Sequence, residues 1–316
     1  MKLTSFRKAA TVTAIAALVA TGTAGCNRTP AGEADRPTVV LSLSTLNNPF
    51  FVELRDGATA EAKKQNVDLE IVDAQNDSAT QANQLATAAS TADAVILNAV
   101  DSDAAGPAAK ALNEADVPIV AVDRAVNGAD VASFVASDNV AGGEQAAKAL
   151  AEAIGEKGEV IVLQGVAGTS ASRDRGEGFT KGISAYPDIT VVAQQTANFD
   201  RATALDVTTN LLQAHPNAVG VFAENDEMGL GAIQALGSRA GTDVQVAAFD
   251  GTEDGLKAIE AGTLSSTIAQ QPAELGALAV DQAVKAVNGG SGDEGPSDQA
   301  VEVITVTKEN VGDFTE

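Results

Sequence analysis

Tryptophan is absent from the 316 residues, and tyrosine, histidine and cysteine occur once each. A lone cysteine excludes an intramolecular disulfide framework. Together with a lone histidine it also excludes a Cys/His zinc site. Cations are scarce: 20 Lys and Arg stand against 43 Asp and Glu, a net charge of −23. Such a surplus excludes nucleic acid as a partner, because phosphates need clustered cations. No Gly-x-Ser-x-Gly, Walker A or His-Glu-x-x-His string occurs, and Gly229-Leu230-Gly231 lacks the third glycine of a dinucleotide fingerprint, Gln234 standing there. No metal and no cofactor is therefore implied, and the chain reads as a non-enzyme. The enzymatic rival is a glycosidase-like reaction on carboxylates such as Asp123 and Asp250, which product formed from ribosides would reveal. Hydrophobic residues nevertheless make up 45% of the chain, which excludes wholesale disorder, and its length suffices for two ordinary domains.

Apolar runs of membrane length are also missing. Lys2, Arg7 and Lys8 precede an Ala-rich stretch from Ala9 to about Thr21, and Thr23-Ala24-Gly25 lead directly into Cys26. At roughly 13 residues the stretch is shorter than the about 20 that span a bilayer. The segment resembles a bacterial lipoprotein signal, with Thr23 in place of the usual Leu. The resemblance implies cleavage after residue 25 and lipidation of Cys26; plain secretion is the alternative. Residues 26–37 read as a polar tether. The expected product lies outside the cytoplasmic membrane, lipid-anchored to its outer face or periplasmic, where no ATP or NAD pool exists.

From Thr38 onward strand and helix alternate. Apolar runs at 38–44, 68–75, 94–100, 118–123, 131–137, 159–165, 190–197, 219–225, 244–250, 265–270 and 301–307 read as strands. Between them, 49–66, 79–91, 103–115, 139–154, 170–185, 202–215, 227–236, 253–261 and 273–288 carry helical spacing. Strands apolar nearly throughout, each followed by an amphipathic helix, predict an α/β fold with parallel sheets covered on both faces. Their number predicts two doubly wound sheets with a break near Ser137; a single eight-stranded barrel is the competing architecture. Residues 288–298 read as an exposed Gly/Ser/acid-rich loop.

In open α/β sheets ligands bind beyond the carboxyl ends of the strands. Those ends carry Ser44, Asn48, Phe50 and Phe51; Asn98; Asp123 and Arg124; Arg173; Phe199; Asn225; Phe249 and Asp250; and Gln270. Carboxylates accept from adjacent hydroxyls, arginine forks and amides donate back, and phenyl faces cover the C–H faces of a ring. The set is charge-balanced, two Asp against two Arg, which suits a neutral polyol rather than a phosphorylated or carboxylated ligand. Each residue alone has a plainer reading. Asp and Asn at strand ends often cap helices, Phe249 reads equally as core, Phe179 and Phe222 read as core, and His215 reads as a helix C-terminus.

Eight segments, Ser44–Phe51, Ala121–Ala125, Ala136–Gly143, Gly168–Phe179, Asn198–Arg201, Glu224–Ala232, Ala248–Gly255 and Thr267–Pro272, together resemble bacterial D-ribose-binding proteins. These are type I periplasmic sugar-binding proteins, the substrate-capturing parts of ABC importers. The resemblance implies that Asn48, Asn98, Asn225 and Gln270 bond sugar hydroxyls, that Asp123 and Asp250 accept, and that Arg124 and Arg173 donate. Phe50, Phe51 and Phe199 would stack on the ring, Phe249 would line the pocket, and Ser44 is a secondary candidate. Glu224 stands where the family carries Gln. The fold implied is two lobes, 38–137 plus 271–301 and 138–270 plus 302–316, joined by a three-strand hinge. The implied partners are D-ribose or a similar neutral monosaccharide and ABC permease subunits, with a monomer as the family expectation and membrane contact only through the lipid. A chemoreceptor or sensor-kinase role, or capture of another pentose, hexose or furanose-like signal, is the alternative function. A lac-repressor-type regulator shares the fold but would need a helix-turn-helix where the signal segment stands.

Overall fold

The computed structural model describes residues 36–289 and 297–315. The expected signal, Cys26 and nearly all of the tether lie outside these residues, as does most of the loop at 288–298. The first half runs β1 (Thr38–Leu43), α1 (Pro49–Gln65), β2 (Asp68–Asp73), α2 (Ser78–Thr91), β3 (Ala94–Leu97), α3 (Gly106–Glu114), β4 (Ile119–Val122) and β5 (Ser133–Ser137). Then follow α4 (Asn139–Ala153), β6 (Gly158–Gln164), α5 (Ser170–Ile183), β7 (Ile189–Thr196), α6 (Arg201–Ala214), β8 (Ala218–Ala223) and α7 (Asp226–Leu236). The remainder is β9 (Gln245–Asp250), α8 (Glu253–Ala261), β10 (Ser266–Ala269), α9 (Pro272–Val287), β11 (Ser297–Val301) and β12 (Ile304–Thr307).

These strands form two six-stranded sheets, β11-β5-β4-β3-β1-β2 and β12-β10-β9-β8-β6-β7. This is the two-lobed α/β arrangement that the strand–helix rhythm predicts, and it excludes the closed barrel. β3, β4, β8 and β9 are buried almost completely because helices cover both faces of each sheet. In the first lobe α1 and α9 pack together on one face, around Leu54, Leu275 and Leu43, while Leu85 and Leu112 of α2 and α3 cover the other. In the second lobe α4 and α5 bury Leu150 and Phe179 on one side, and Met228 and Ile259 of α7 and α8 fill the other.

One expectation is corrected. As an apolar run 301–307 reads as a single strand, although the lobe bounds implied by the resemblance change between 301 and 302; the structure divides the run. β11 pairs parallel with β5 in the first sheet, and β12 pairs antiparallel with β10 in the second. Glu302 and Val303 carry the chain across. Continuous β-propensity gives no sign of this break, since both halves suit a pleated strand and only the neighbouring lobes tell them apart. β11 also draws Ser297 and Asp298, expected in a loop, into the first sheet.

The chain passes between the sheets twice more, between β5 and α4 and between β10 and α9. The passages are tied to one another: the Asp138 N–H donates to the Val301 carbonyl (3.0 Å), and Gln271 Nε2 donates to the Glu302 carbonyl (3.1 Å). Side chains of Asn48, Thr169, Asp200, Asn225 and Thr252 cap α1, α5, α6, α7 and α8. Each cap follows a strand, so helix N-termini collect at the carboxyl edges of the sheets. Among the described residues no helix is long and apolar enough to cross a membrane.

Leu54 is fully buried where α1 meets α9. Leu54→Ala should lower unfolding stability by about 2–5 kcal/mol through the cavity it leaves, measured by calorimetric melting.

Candidate functional site

Each lobe brings one carboxylate, one arginine and one amide to the same cleft. In the first lobe Asp123 follows β4 in a left-handed backbone conformation (φ 63°), fixed by its N–H donating to the Val135 carbonyl at 2.8 Å. Asn98 stands behind it. Its Nδ2 donates to Asp123 Oδ2 (3.1 Å) and to the Val122 carbonyl (3.2 Å), while its Oδ1 accepts from the Ser44 N–H (3.1 Å). Arg124 Nε lies 3.5 Å from Asp123 Oδ2, and Nη1 donates to the Ala99 carbonyl (3.0 Å).

The second lobe repeats the arrangement. Asp250 ends β9, also at positive φ (123°), and Gln270 Nε2 donates to its Oδ1 at 2.7 Å. Arg175 Nη1 lies 3.5 Å from that oxygen. Its guanidinium is held by Nε donating to Asn139 Oδ1 (2.8 Å), by Nη1 donating to the Glu224 carbonyl (2.7 Å), and by the Phe249 ring beneath it, 3.9 Å away. A non-glycine residue in such a conformation costs about 1–3 kcal/mol, and such strain persists only where the surroundings enforce it.

A cavity with about 250 Å³ of empty volume lies between these groups. Asn48, Phe50, Phe51, Asp123 and Arg124 line it from the first lobe; Ala171, Arg175, Phe199, Asn225 and Asp250 line it from the second. Phe50 and Phe51 meet edge to face, at 5.1 Å and 85°. The Arg124 guanidinium stands 5.3 Å from the Phe51 centroid and 5.7 Å from that of Phe199, so it touches an aromatic from each lobe. Phe199, itself at φ 57°, lies over Gly165, where a Cβ would come within 2.0 Å of the ring. Any other residue at 165 would displace Phe199 from the cleft.

Burial pushes the carboxyls of Asp123 and Asp250 upward, and the neighbouring arginines pull them back. Burial also lowers Arg124 against the opposing pull of Asp123. The wall thus carries two Asp and two Arg, each pair spanning one carboxylate and one guanidinium. It can accept from vicinal hydroxyls, donate back, and cover an apolar ring face, without a surplus charge for an anion.

A family model described as a periplasmic binding protein domain matches residues 39–291. The chain belongs to the periplasmic binding protein family. The ribose import binding protein RbsB of Salmonella typhimurium is 45% identical over 286 residues, which cover 90% of this chain and 94% of that protein. An ABC transporter solute-binding protein of Actinobacillus succinogenes, solved with D-allose, has a TM-score of 0.81 and 34% identity, covering 88% of this chain and 100% of that one. A solute-binding protein of Bacillus halodurans, solved with myo-inositol, has a TM-score of 0.83 and 32% identity, covering 90% and 99%.

In this periplasmic binding protein the residues expected at the site fall into three groups. Asn48, Phe50, Phe51, Asp123, Arg124, Phe199, Asn225 and Asp250 line the cavity. Asn98 and Gln270 lie behind the two carboxylates and hold them, Ser44 is buried with its backbone N–H on Asn98, and Phe249 is fully buried under Arg175. Arg173 is a correction. It lies on the outer side of α5, its side chain 59% exposed and paired with Asp174 Oδ1 at 2.9 Å. Arg175 occupies the cleft instead. Two positions on a helix differ by about 200°, so 173 and 175 face opposite ways. The buried stripe of Ala171, Ser172, Arg175, Gly178 and Phe179 marks the inward side, and that periodicity was available in the sequence.

Glu224, which departs from the family's Gln, is buried behind the cleft. Its Oε2 accepts from the Gly165 N–H (2.7 Å) and from the Ser172 hydroxyl, and its Oε1 has no hydrogen-bond partner among the described residues. Burial pushes this carboxyl up to about 7, against the two hydrogen bonds and Arg175. The unfolded chain releases the proton near the ordinary value of 4.5, so the folded chain retains a proton that the unfolded one has lost. Stability from this group therefore falls as pH rises from about 4.5 to about 7 and then levels. Glu224→Gln should match the wild type in urea unfolding near pH 4.5 and exceed it at pH 8, by roughly 3 kcal/mol at most. Comparing the variant with the wild type isolates Glu224 from Asp226, which burial raises to about 6 and which titrates in both proteins.

Proposed function

We propose that the protein captures a neutral monosaccharide, D-ribose, between its two lobes and delivers it to the permease of an ABC importer. The observation that carries this reading is the charge-balanced, aromatic-lined cavity with one Asp–Arg pair from each lobe. A phosphorylated sugar would find its added charge opposed by Asp123 and Asp250 with no spare cation to receive it. The name of the Salmonella relative supports ribose, and the D-allose and myo-inositol of the structural neighbours support a neutral polyol more broadly. Because wall residues come from both lobes, the sugar stabilises the closed form through contacts that the open form lacks. The protein acts outside the cytoplasmic membrane as a monomer, anchored through a lipid on Cys26. It catalyses no reaction.

Calorimetry on the purified domain should show D-ribose binding more tightly than glucose, galactose or ribose 5-phosphate. Heat with another sugar but none with ribose would refute the ligand and leave the class standing. Asp123→Ala and Asp250→Ala should each weaken binding by about 2–5 kcal/mol, the loss expected when a buried charge-assisted contact is truncated. Arg175→Ala should weaken binding comparably, while Arg173→Ala should leave the affinity unchanged; the reverse order would mean that the wall is assigned to the wrong arginine.

A further inference from the structure

The lobes also touch directly, at a place that is not part of the cavity wall. The loop after β3 meets the loop that opens α5. There the Ser102 N–H donates to the Gly168 carbonyl at 3.0 Å, and the Ser170 N–H donates to Ser102 Oγ at 3.2 Å. The Ser170 hydroxyl then accepts from the N–H of Ala125, which follows Arg124, at 2.8 Å. Ser102 and Ser170 are 2% and 1% exposed, so these bonds are shielded from competing water. The carbonyl of Ser102 accepts from the Asn127 N–H (2.8 Å), which ties the two first-lobe loops into one platform.

The partners are complementary for a physical reason. Ser170 is the first residue of α5, and first-turn amides have no partner within their own helix. Thr169 takes the amide of Ser172, and the opposite lobe takes that of Ser170. Gly168 permits the approach. It sits at φ 89°, and a Cβ there would fall 2.0 Å from Asp101 Oδ2. The Asp101 carboxylate is held there by its Oδ1, which accepts from the N–H groups of Asp103 (2.9 Å) and Ala104 (2.7 Å).

We propose that Ser102, Gly168 and Ser170 form a sugar-independent latch that favours the closed form and so sets sugar affinity without touching the sugar. The proposal rests on the capture reading above and deepens it. A site formed only in the closed state has an apparent affinity scaled by the fraction of molecules closed, so loosening the latch weakens binding even with every wall residue intact. The same helix carries Arg175, and Ala125 adjoins Arg124, so the latch also brings the two arginines into register across the cleft.

The test is Ser170→Ala, with Ser102→Ala made from the opposite lobe as a second variant should the first not fold. Stopped-flow and calorimetry with D-ribose should show affinity weakened by about 3–10-fold, the scale of one or two neutral hydrogen bonds, carried by faster dissociation. Small-angle scattering without sugar should show a larger radius of gyration for the variant than for the wild type. Unchanged affinity and dissociation rate in folded variants would overturn the latch. If the wild type takes up none of the sugars, the capture reading falls, and the scattering comparison still decides the latch: an unliganded variant no more open than the wild type overturns it.

Discussion

Two carboxylates and two guanidiniums buried in one cleft are tolerable only because each is paired and hydrogen-bonded. An isolated buried ion costs several kcal/mol, and removing either member of a pair strands the other. Asp123 has Arg124 and Asn98 within reach; Asp250 has Arg175 and Gln270. Much of the surrounding architecture serves this condition. The left-handed turns at Asp123 and Asp250 place the carboxylates, Asn139 and the Glu224 carbonyl fix Arg175, and Phe249 supports it from below. The polar groups of the cleft thus hold one another in place, while Arg124 Nε and Gln270 Oε1 have no hydrogen-bond partner among the described residues.

Parallel sheets make that convergence possible. Every strand-to-helix turn lies on one edge of its sheet, so helix caps and cavity-lining residues are in part the same residues. Asn48 caps α1 through the Phe50 N–H and lines the cavity; Asn225 caps α7 through the Met228 N–H and lines it from the other lobe. The strand order reverses between β1 and β3 and between β6 and β8, the positions at whose carboxyl edge ligands of such sheets bind. Two such edges facing each other enclose a small polar ligand more completely than one can.

Much of the fold was legible along the chain. Helix α8 occupies the residues its periodicity predicts, and most other elements begin or end within a residue or two of expectation. Signals that depend on local pattern, such as apolar runs, caps and helical stripes, survive folding because they report which faces are buried. Two signals failed. The division of 301–307 into β11 and β12 carries no local mark, because both halves have the same propensity and different neighbours. The place after a strand end and the resemblance both point to Arg173, although the stripe through Ser172 and Phe179 favours Arg175. Asn98 and Gln270, ligand contacts by the resemblance, also donate to the carboxylates in front of them, and Gln270 Oε1 has no hydrogen-bond partner among the described residues.

By itself the sequence determined the alternation of strand and helix, the set of polar and aromatic residues at the strand ends, and their balanced charge. These depend on composition and spacing, which folding does not alter. Tertiary structure alone decided which of those residues reach the cavity, which stand behind it, and where one lobe bonds directly to the other. Such choices depend on distances between segments far apart in the chain, as Asp123 and Asp250 or Ser102 and Ser170 are, and local periodicity contains no information about them.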